Sequence, residues 1–193
     1  MKIAVLDFET HYSEDYTLKK MTAEAYVRDP RFKTLCVGVK PMHALPPANE
    51  NPAIETHVMD GPTFAQVARA VPEYALVCHN ANFDGLILNH HYGVQPAFYF
   101  DTLSMARLIF PHEKSHSLES LAAKFNLPAK NVPYNEFIGL RELSPEIYGR
   151  LSAGCAHDVE LTYIIFRKML PLVPRQELRI IDATVRMFTE PTL

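Results

Sequence analysis

Asp7-Phe8-Glu9-Thr10 is the stretch with the clearest chemical content. It closes an apolar run that begins at Ile3, and such a run near a terminus predicts a strand buried on both faces. Successive strand side chains alternate, so Asp7 and Glu9 point the same way. Each carboxylate raises the pKa of the other, and burial raises both. A divalent cation relieves that repulsion, and the hard ions Mg²⁺ and Mn²⁺ take oxygen ligands. The pattern points to a metal site at the C-terminal end of the first strand.

A competing pattern is weaker. His112-Glu113-Lys114-Ser115-His116 matches the H-E-x-x-H signature of zinc proteases. That chemistry needs both histidines on one helical face and a third ligand beyond. Here Pro111 precedes the stretch and Ser117 is placed to cap the next helix, so the segment is predicted to be a loop. The three cysteines, Cys36, Cys78 and Cys155, show no paired spacing, which speaks against a disulfide framework and fits a reducing compartment.

The elements that must position these residues follow from pattern. Strands are predicted at 35–39, 54–58, 74–79 and 97–100, in addition to the first. The first three lie close enough in sequence for an antiparallel meander. A proline-rich connection, 41–52, separates the second and third. Helices are predicted at 62–70, after an Asn82 N-cap, at 103–109 and at 118–125. A long helix starts at Ser144-Pro145, carries Asp158 and runs to about 169, with a break near Gly154 because Gly149 and Gly154 each cost roughly 1 kcal/mol relative to Ala. A last amphipathic helix follows Pro174, with Leu178, Ile181, Val185 and Phe188 as its stripe. The fold class is α/β, a mixed five-stranded sheet with helices on both faces. Acidic residues recur at the ends of strands one, four and five, the edge at which open α/β sheets build sites.

The totals constrain the partners. With 193 residues, 48% hydrophobic, the chain suits one domain with a substantial core. A net charge of −3 is unlike that of a free-standing nucleic-acid binder, so contact with nucleic acid is expected to be local, metal-assisted or shared with another domain. Lys19, Lys20, Arg107, Lys114, Lys124 and Lys130 are read mainly as a solvated face rather than a path for single-stranded DNA. No signal peptide or membrane-length apolar run is visible, so a cytoplasmic location is expected.

Three stretches taken together resemble a known family. Asp7-Phe8-Glu9-Thr10, Asn80-Ala81-Asn82-Phe83-Asp84 and Asp158-Val159-Glu160-Leu161-Thr162 are similar in order, spacing and context to the three motifs of the DEDD 3′–5′ exonucleases, a superfamily of ribonuclease H-like fold. Asp101-Thr102 to Ala106-Arg107, then Ser117-Leu118 and Leu121-Ala122, resemble its middle section. Within it, the N-terminal proofreading domain of bacteriophage family-A DNA polymerases is the most similar. The resemblance covers roughly residues 1 to 170 and divides the chain into an exonuclease domain, 1–172, and a C-terminal helix, 173–193, read as a linker to a polymerase domain in the same or another chain. If phage-encoded, it would act in the cytoplasm of a bacterial host.

The resemblance implies two divalent ions, Mg²⁺ or Mn²⁺, that clamp the scissile phosphate at the 3′ end of single-stranded or frayed DNA. Asp7 would touch both ions, Glu9 and Asp158 the ion that binds the attacking water, and Asp84 the second. Thr10 is a candidate contact to the terminal nucleotide, Phe8 either core or a base-stacking platform, and Asn80 either a turn residue or a sugar-phosphate contact. Asp101 is either a helix N-cap or a support behind the metal ligands.

One departure stands out. The superfamily places a general base, Tyr or His, four or five residues before the last Asp. Those positions are Gly154 and Ala153 here, and neither takes a proton. His157, His116 and Tyr148 are the candidate substitutes. Two alternatives to a DNA exonuclease follow: a silent module that holds DNA or a polymerase, and an RNA exonuclease of the same fold.

Overall fold

The computed structural model describes residues 2–42, 44, 54–129 and 134–190. Most of the proline-rich connection, and Lys130, lie outside these.

Five strands form one mixed sheet: β1 (Lys2–Thr10), β2 (Thr34–Met42), β3 (His57–Met59), β4 (Tyr74–Cys78) and β5 (Phe98–Asp101). Their spatial order is β3-β2-β1-β4-β5. The first three form the antiparallel meander expected from their closeness in sequence, and β4 and β5 add in parallel on the other side of β1. The helices are α1 (Ala23–Arg28), α2 (Gly61–Val67), α3 (Ala81–Tyr92), α4 (Thr102–Ile109), α5 (Leu118–Lys124), α6 (Pro145–Met169) and α7 (Arg175–Thr189). Among the described residues, no helix is long and apolar enough to cross a membrane.

The parity of β1 sorts its side chains. Ile3 and Val5 join Ala75, Val77 and Phe100 in a core built with α4, α5 and α6. Ala4, Leu6 and Phe8 join Leu76 and Cys78 in a second core with α1, α2 and α3. Asp7 and Glu9 share the parity of Ile3 and Val5, so they stand on the α6 side. A shift of register between Glu9 and Thr10 ends the regular pairing with β2.

α6 runs unbroken through Gly154, against the break predicted there. One face of the helix is buried from Leu151 to Met169, and burial of this extent outweighs a cost of about 1 kcal/mol per glycine. The sheet receives α6 at Gly38 of β2, where a Cβ would lie 2.8 Å from Val159 Cγ2 and 2.9 Å from Cys155 Sγ. Only a residue without a side chain allows the helix this close.

The start of α3 also differs from the sequence reading. Its N-cap is Asn80, in the left-handed region at φ 76°, and Asn82 lies inside the helix. Asp101 fixes this turn. Its Oδ1 accepts from the backbone N–H groups of Asn80 (2.9 Å), Ala81 (3.1 Å) and Leu103 (3.2 Å). Its Oδ2 accepts from the Ser104 N–H (3.2 Å) and hydroxyl (2.6 Å). One buried carboxylate thus caps α4 and ties it to the entry of α3. Asp101→Ala leaves a cap empty and buried N–H groups unmet, and is expected to cost about 2–4 kcal/mol, read as a drop in the urea midpoint at unchanged slope.

α7, set apart in the sequence reading as 173–193, packs onto the sheet edge and α3. Asp182 accepts from the Tyr99 N–H of β5 at 2.8 Å, and Arg186 donates to the Pro96 and Ala97 carbonyls, both at 3.0 Å. Asn89 of α3 donates to the Thr189 carbonyl at 2.7 Å. Helix and sheet edge are one packed body.

Candidate active site

Three acids from two elements meet at the C-terminal end of β1, and a fourth, Asp84, is held against the strand backbone behind them. Asp7, Glu9 and Asp158 each bring a carboxylate oxygen to within 4.8 Å of the other two. The strand supplies two of them by alternation, and α6 supplies the third from the turn that rests on Gly38. Asp84 arrives from the other face, on the first turn of α3. Its Oδ1 accepts the Phe8 N–H at 3.3 Å, so it is held against the backbone between Asp7 and Glu9. Asp84 lies outside the group of three but close to Asp7 in charge.

The electrostatics record the crowding. Asp84 is buried, and burial together with the Asp7 carboxylate pushes its pKa well above the carboxylate range. Cys155 lies against Asp7, with Sγ 3.7 Å from its carbonyl and 3.9 Å from Oδ2. A hydrogen bond with Cys36, then burial and the nearby carboxylates, push this thiol up. It stays protonated and acts as a weak donor to Asp7.

The donor set is all oxygen and anionic, which suits a hard divalent ion and not a soft one. Convergent carboxylates around a +2 charge also remove the cost of placing them together. Asp84 gives this a sign. In metal-free protein its folded pKa exceeds its unfolded value, so the folded state keeps a proton that the unfolded state releases. Stability then falls as pH rises above the ordinary carboxylate value toward the raised one. A cation displaces that proton and cancels the loss. The gain in melting temperature on adding Mn²⁺ to EDTA-treated protein is expected to be about 5 °C or more at about pH 8 and clearly smaller at about pH 5. A pH-independent gain, or none, contradicts a metal site built on these acids.

A cavity of about 300 Å³ opens over the acids. Its walls include Thr10, Tyr12, Thr17, Leu18, Tyr26 and Phe83. Thr10 is part of the cavity wall. The Tyr26 O–H donates to the His11 carbonyl at 2.5 Å, and a phenol has one proton. In the 2.8 Å contact between the two hydroxyls, Thr10 is therefore the donor. Its lone pairs remain to accept from a ligand in the cavity.

Phe8 borders the cavity, while its parity sends the ring to the opposite face of the sheet, into the core, edge-on to Phe64 and stacked with Tyr92. Asn80 is an exposed turn residue whose side chain makes no capping bond and is not part of the cavity wall. None of the three substitutes for the general base lines the cavity. His116 bonds the Phe110 carbonyl at 2.8 Å within the α4–α5 loop. His157 is turned to the Ala129 carbonyl at 3.2 Å. Tyr148 packs beside Leu35 and Leu151, and on a continuous helix it lies about 15 Å from Asp158. The H-E-x-x-H stretch is a loop, as expected. Lys20 pairs with Asp15 and Lys124 with Glu113.

Sequence reasoning missed Tyr12 and Tyr26 as cavity residues. Both follow the first strand closely, but only the path of the chain from Thr10 to α1 shows that they turn back over it.

Comparison with known proteins agrees with this architecture. A family model described as 3′–5′ exonuclease matches residues 63–174, more than half of the chain. The match contains Asp84 and Asp158 and begins after β1. A DNA polymerase III PolC-type of Listeria monocytogenes is 44% identical over 57 residues, 27% of this chain and 4% of that polymerase. The catalytic core of RRP6 from Trypanosoma brucei has a TM-score of 0.63 at 15% identity, over 98% of this chain and 48% of that one. NrnC of Brucella melitensis bound to pGG has a TM-score of 0.62 at 14% identity, over 97% and 83%. At these identities the two structures share the fold alone. The chain belongs to the 3′–5′ exonuclease family, within the DEDD superfamily of ribonuclease H-like fold.

Proposed function

We propose that this chain hydrolyses the 3′-terminal phosphodiester of single-stranded or frayed DNA in a divalent-metal-dependent reaction, as the proofreading part of a phage family-A DNA polymerase in a bacterial cytoplasm. The observation that carries this is the convergence of Asp7, Glu9 and Asp158 at one end of β1, with Asp84 buried beside Asp7. Asp7, Glu9 and Asp158 would hold one Mg²⁺ or Mn²⁺, and Asp7 with Asp84 a second. When bound, such a pair supplies an activated water and neutralises charge on the leaving 3′ oxygen.

The chain's own residues do the rest. The Phe8 N–H and the Cys155 thiol orient Asp84 and Asp7. Thr10 accepts a hydrogen bond from the terminal sugar. Phe83 and Leu18 give the cavity an apolar side against which a base can rest. The DNA and polymerase context rests on the short PolC-type match and on the sequence resemblance of the motifs. The helix α7 would lead on toward a polymerase domain.

The test uses 3′-labelled single-stranded DNA and RNA of one sequence, each with Mn²⁺, Mg²⁺ or EDTA. Metal-dependent release of the 3′ nucleotide from DNA, faster than from RNA, is expected. Faster release from RNA assigns the chain to the RNA exonucleases. Binding without release makes it a silent module.

A further inference from the structure

α6 rests on β2 through every second residue of the strand. Cys36 bonds Cys155, Gly38 admits Cys155 and Val159, and Lys40 meets Glu160. Lys40 is the only buried lysine or arginine among the described residues. Its Nζ donates to Glu160 Oε1 at 2.6 Å and to the Ile54 carbonyl at 2.5 Å. The Tyr163 ring, nearly one turn further along α6, lies 5.1 Å from the same nitrogen. The Thr56 hydroxyl donates to the same oxygen of Glu160. One ion pair thus joins α6 to β2 and to the segment that leads into β3.

A buried ion pair adds little net stability, because desolvation offsets the attraction. What it adds is direction. The apolar contacts of the same interface are non-directional, and Gly38 lets the helix come close without a side chain to hold it. At about 100° per residue, Asp158 and Glu160 fall on opposite flanks of the ridge made by Cys155 and Val159, about 3 Å apart along the axis. Fixing Glu160 against Lys40 therefore fixes the rotation that turns Asp158 toward Asp7 and Glu9.

We propose that Lys40 and Glu160 are positioning residues. Their ion pair sets the rotation and height of α6 over the sheet, and through it the place of Asp158 among the acids that would hold the metal. Neither residue belongs to the group of three acids or to the cavity wall. The inference rests on the reading of those acids as a metal site.

The test is Lys40→Met, which keeps the apolar stem and removes the charge. Mn²⁺ is titrated into metal-stripped protein with the rise in melting temperature as the signal, and kcat and KM are measured on a 3′-labelled single-stranded oligodeoxynucleotide. The half-saturating Mn²⁺ concentration is expected to rise about 10-fold and kcat to fall about 10-fold. KM stays within about twofold of the parent, and the metal-free melting temperature falls by no more than about 3 °C. The double variant Lys40→Met, Glu160→Gln leaves no lone charge and is expected to show the same changes and no more, because the pair acts as one unit.

A half-saturating Mn²⁺ concentration and a kcat both within about twofold of the parent overturn the proposal. So does a loss that comes with a metal-free melting temperature lowered by more than about 3 °C in both variants, which marks a merely structural pair. The melting titration does not depend on cleavage. An unaltered chain that binds Mn²⁺ but releases no nucleotide overturns the exonuclease reading and leaves the titration to decide the role of Lys40. An unaltered chain that binds no Mn²⁺ overturns both.

Discussion

Asp7→Asn is expected to lower 3′-end hydrolysis by about 10³-fold or more while leaving the metal-free protein at least as stable as the parent. The two effects have one cause. Asp7 is the member common to both halves of the site. Its oxygen lies within 4.8 Å of those of Glu9 and Asp158, and its charge is the main one acting on Asp84. Without that charge neither half keeps enough negative charge to hold a divalent ion. In metal-free protein the same charge is a burden, because it opposes ionisation of buried Asp84. Asn keeps the shape and removes the repulsion, which is worth on the order of 1 kcal/mol. Loss of activity with a flat or raised melting temperature in EDTA marks a functional acid. Loss of both together would make Asp7 a structural residue and count against the site.

Gly38→Ala, a change of one methyl group on a neighbouring strand, is expected to cost about 1–3 kcal/mol of stability and about 10²-fold in rate. Gly38 is the cross-strand partner of Asp7. Its new Cβ would sit 2.8 Å from Val159 and 2.9 Å from Cys155. Val159 is branched at Cβ and fully buried, so it has no free rotamer to yield. The helix must move away from the sheet, and Asp158, next to Val159, moves with it. A displacement of about 1 Å is enough for a loss of this size. Val159→Ala in the same chain removes the closer of the two clashes and leaves the one with Cys155. The double variant is therefore expected to recover part of the rate lost in Gly38→Ala, a coupling that independent sites do not show. No recovery would mean that the methyl displaces the helix through Cys155 and not through Val159.

Much of this site was legible in the sequence because strand parity is a local property. Asp7 and Glu9 must share a face, and it is the face that Ile3 and Val5 also take. The same alternation sends the Phe8 ring to the other face, into the core that was one of the two roles read for it. The antiparallel meander was legible because its strands are neighbours along the chain. The continuity of α6 was not. Helix propensity penalises Gly149 and Gly154, and only the depth of packing between Leu151 and Met169 decides otherwise. The entry of α3 was misjudged by two residues because its cap is a left-handed Asn80 held by Asp101, a partner 21 residues away. Tyr12 and Tyr26 were hidden for a similar reason: their role depends on a loop that folds back over its own strand.

The most direct measurement is anomalous scattering from crystals soaked in Mn²⁺. The expected result is a manganese peak bonded by carboxylate oxygens of Asp7, Glu9 and Asp158, absent from Asp7→Asn crystals treated in the same way. Manganese bound elsewhere with these carboxylates unligated, or a peak that survives the substitution, would contradict a metal-dependent exonuclease site at the end of β1.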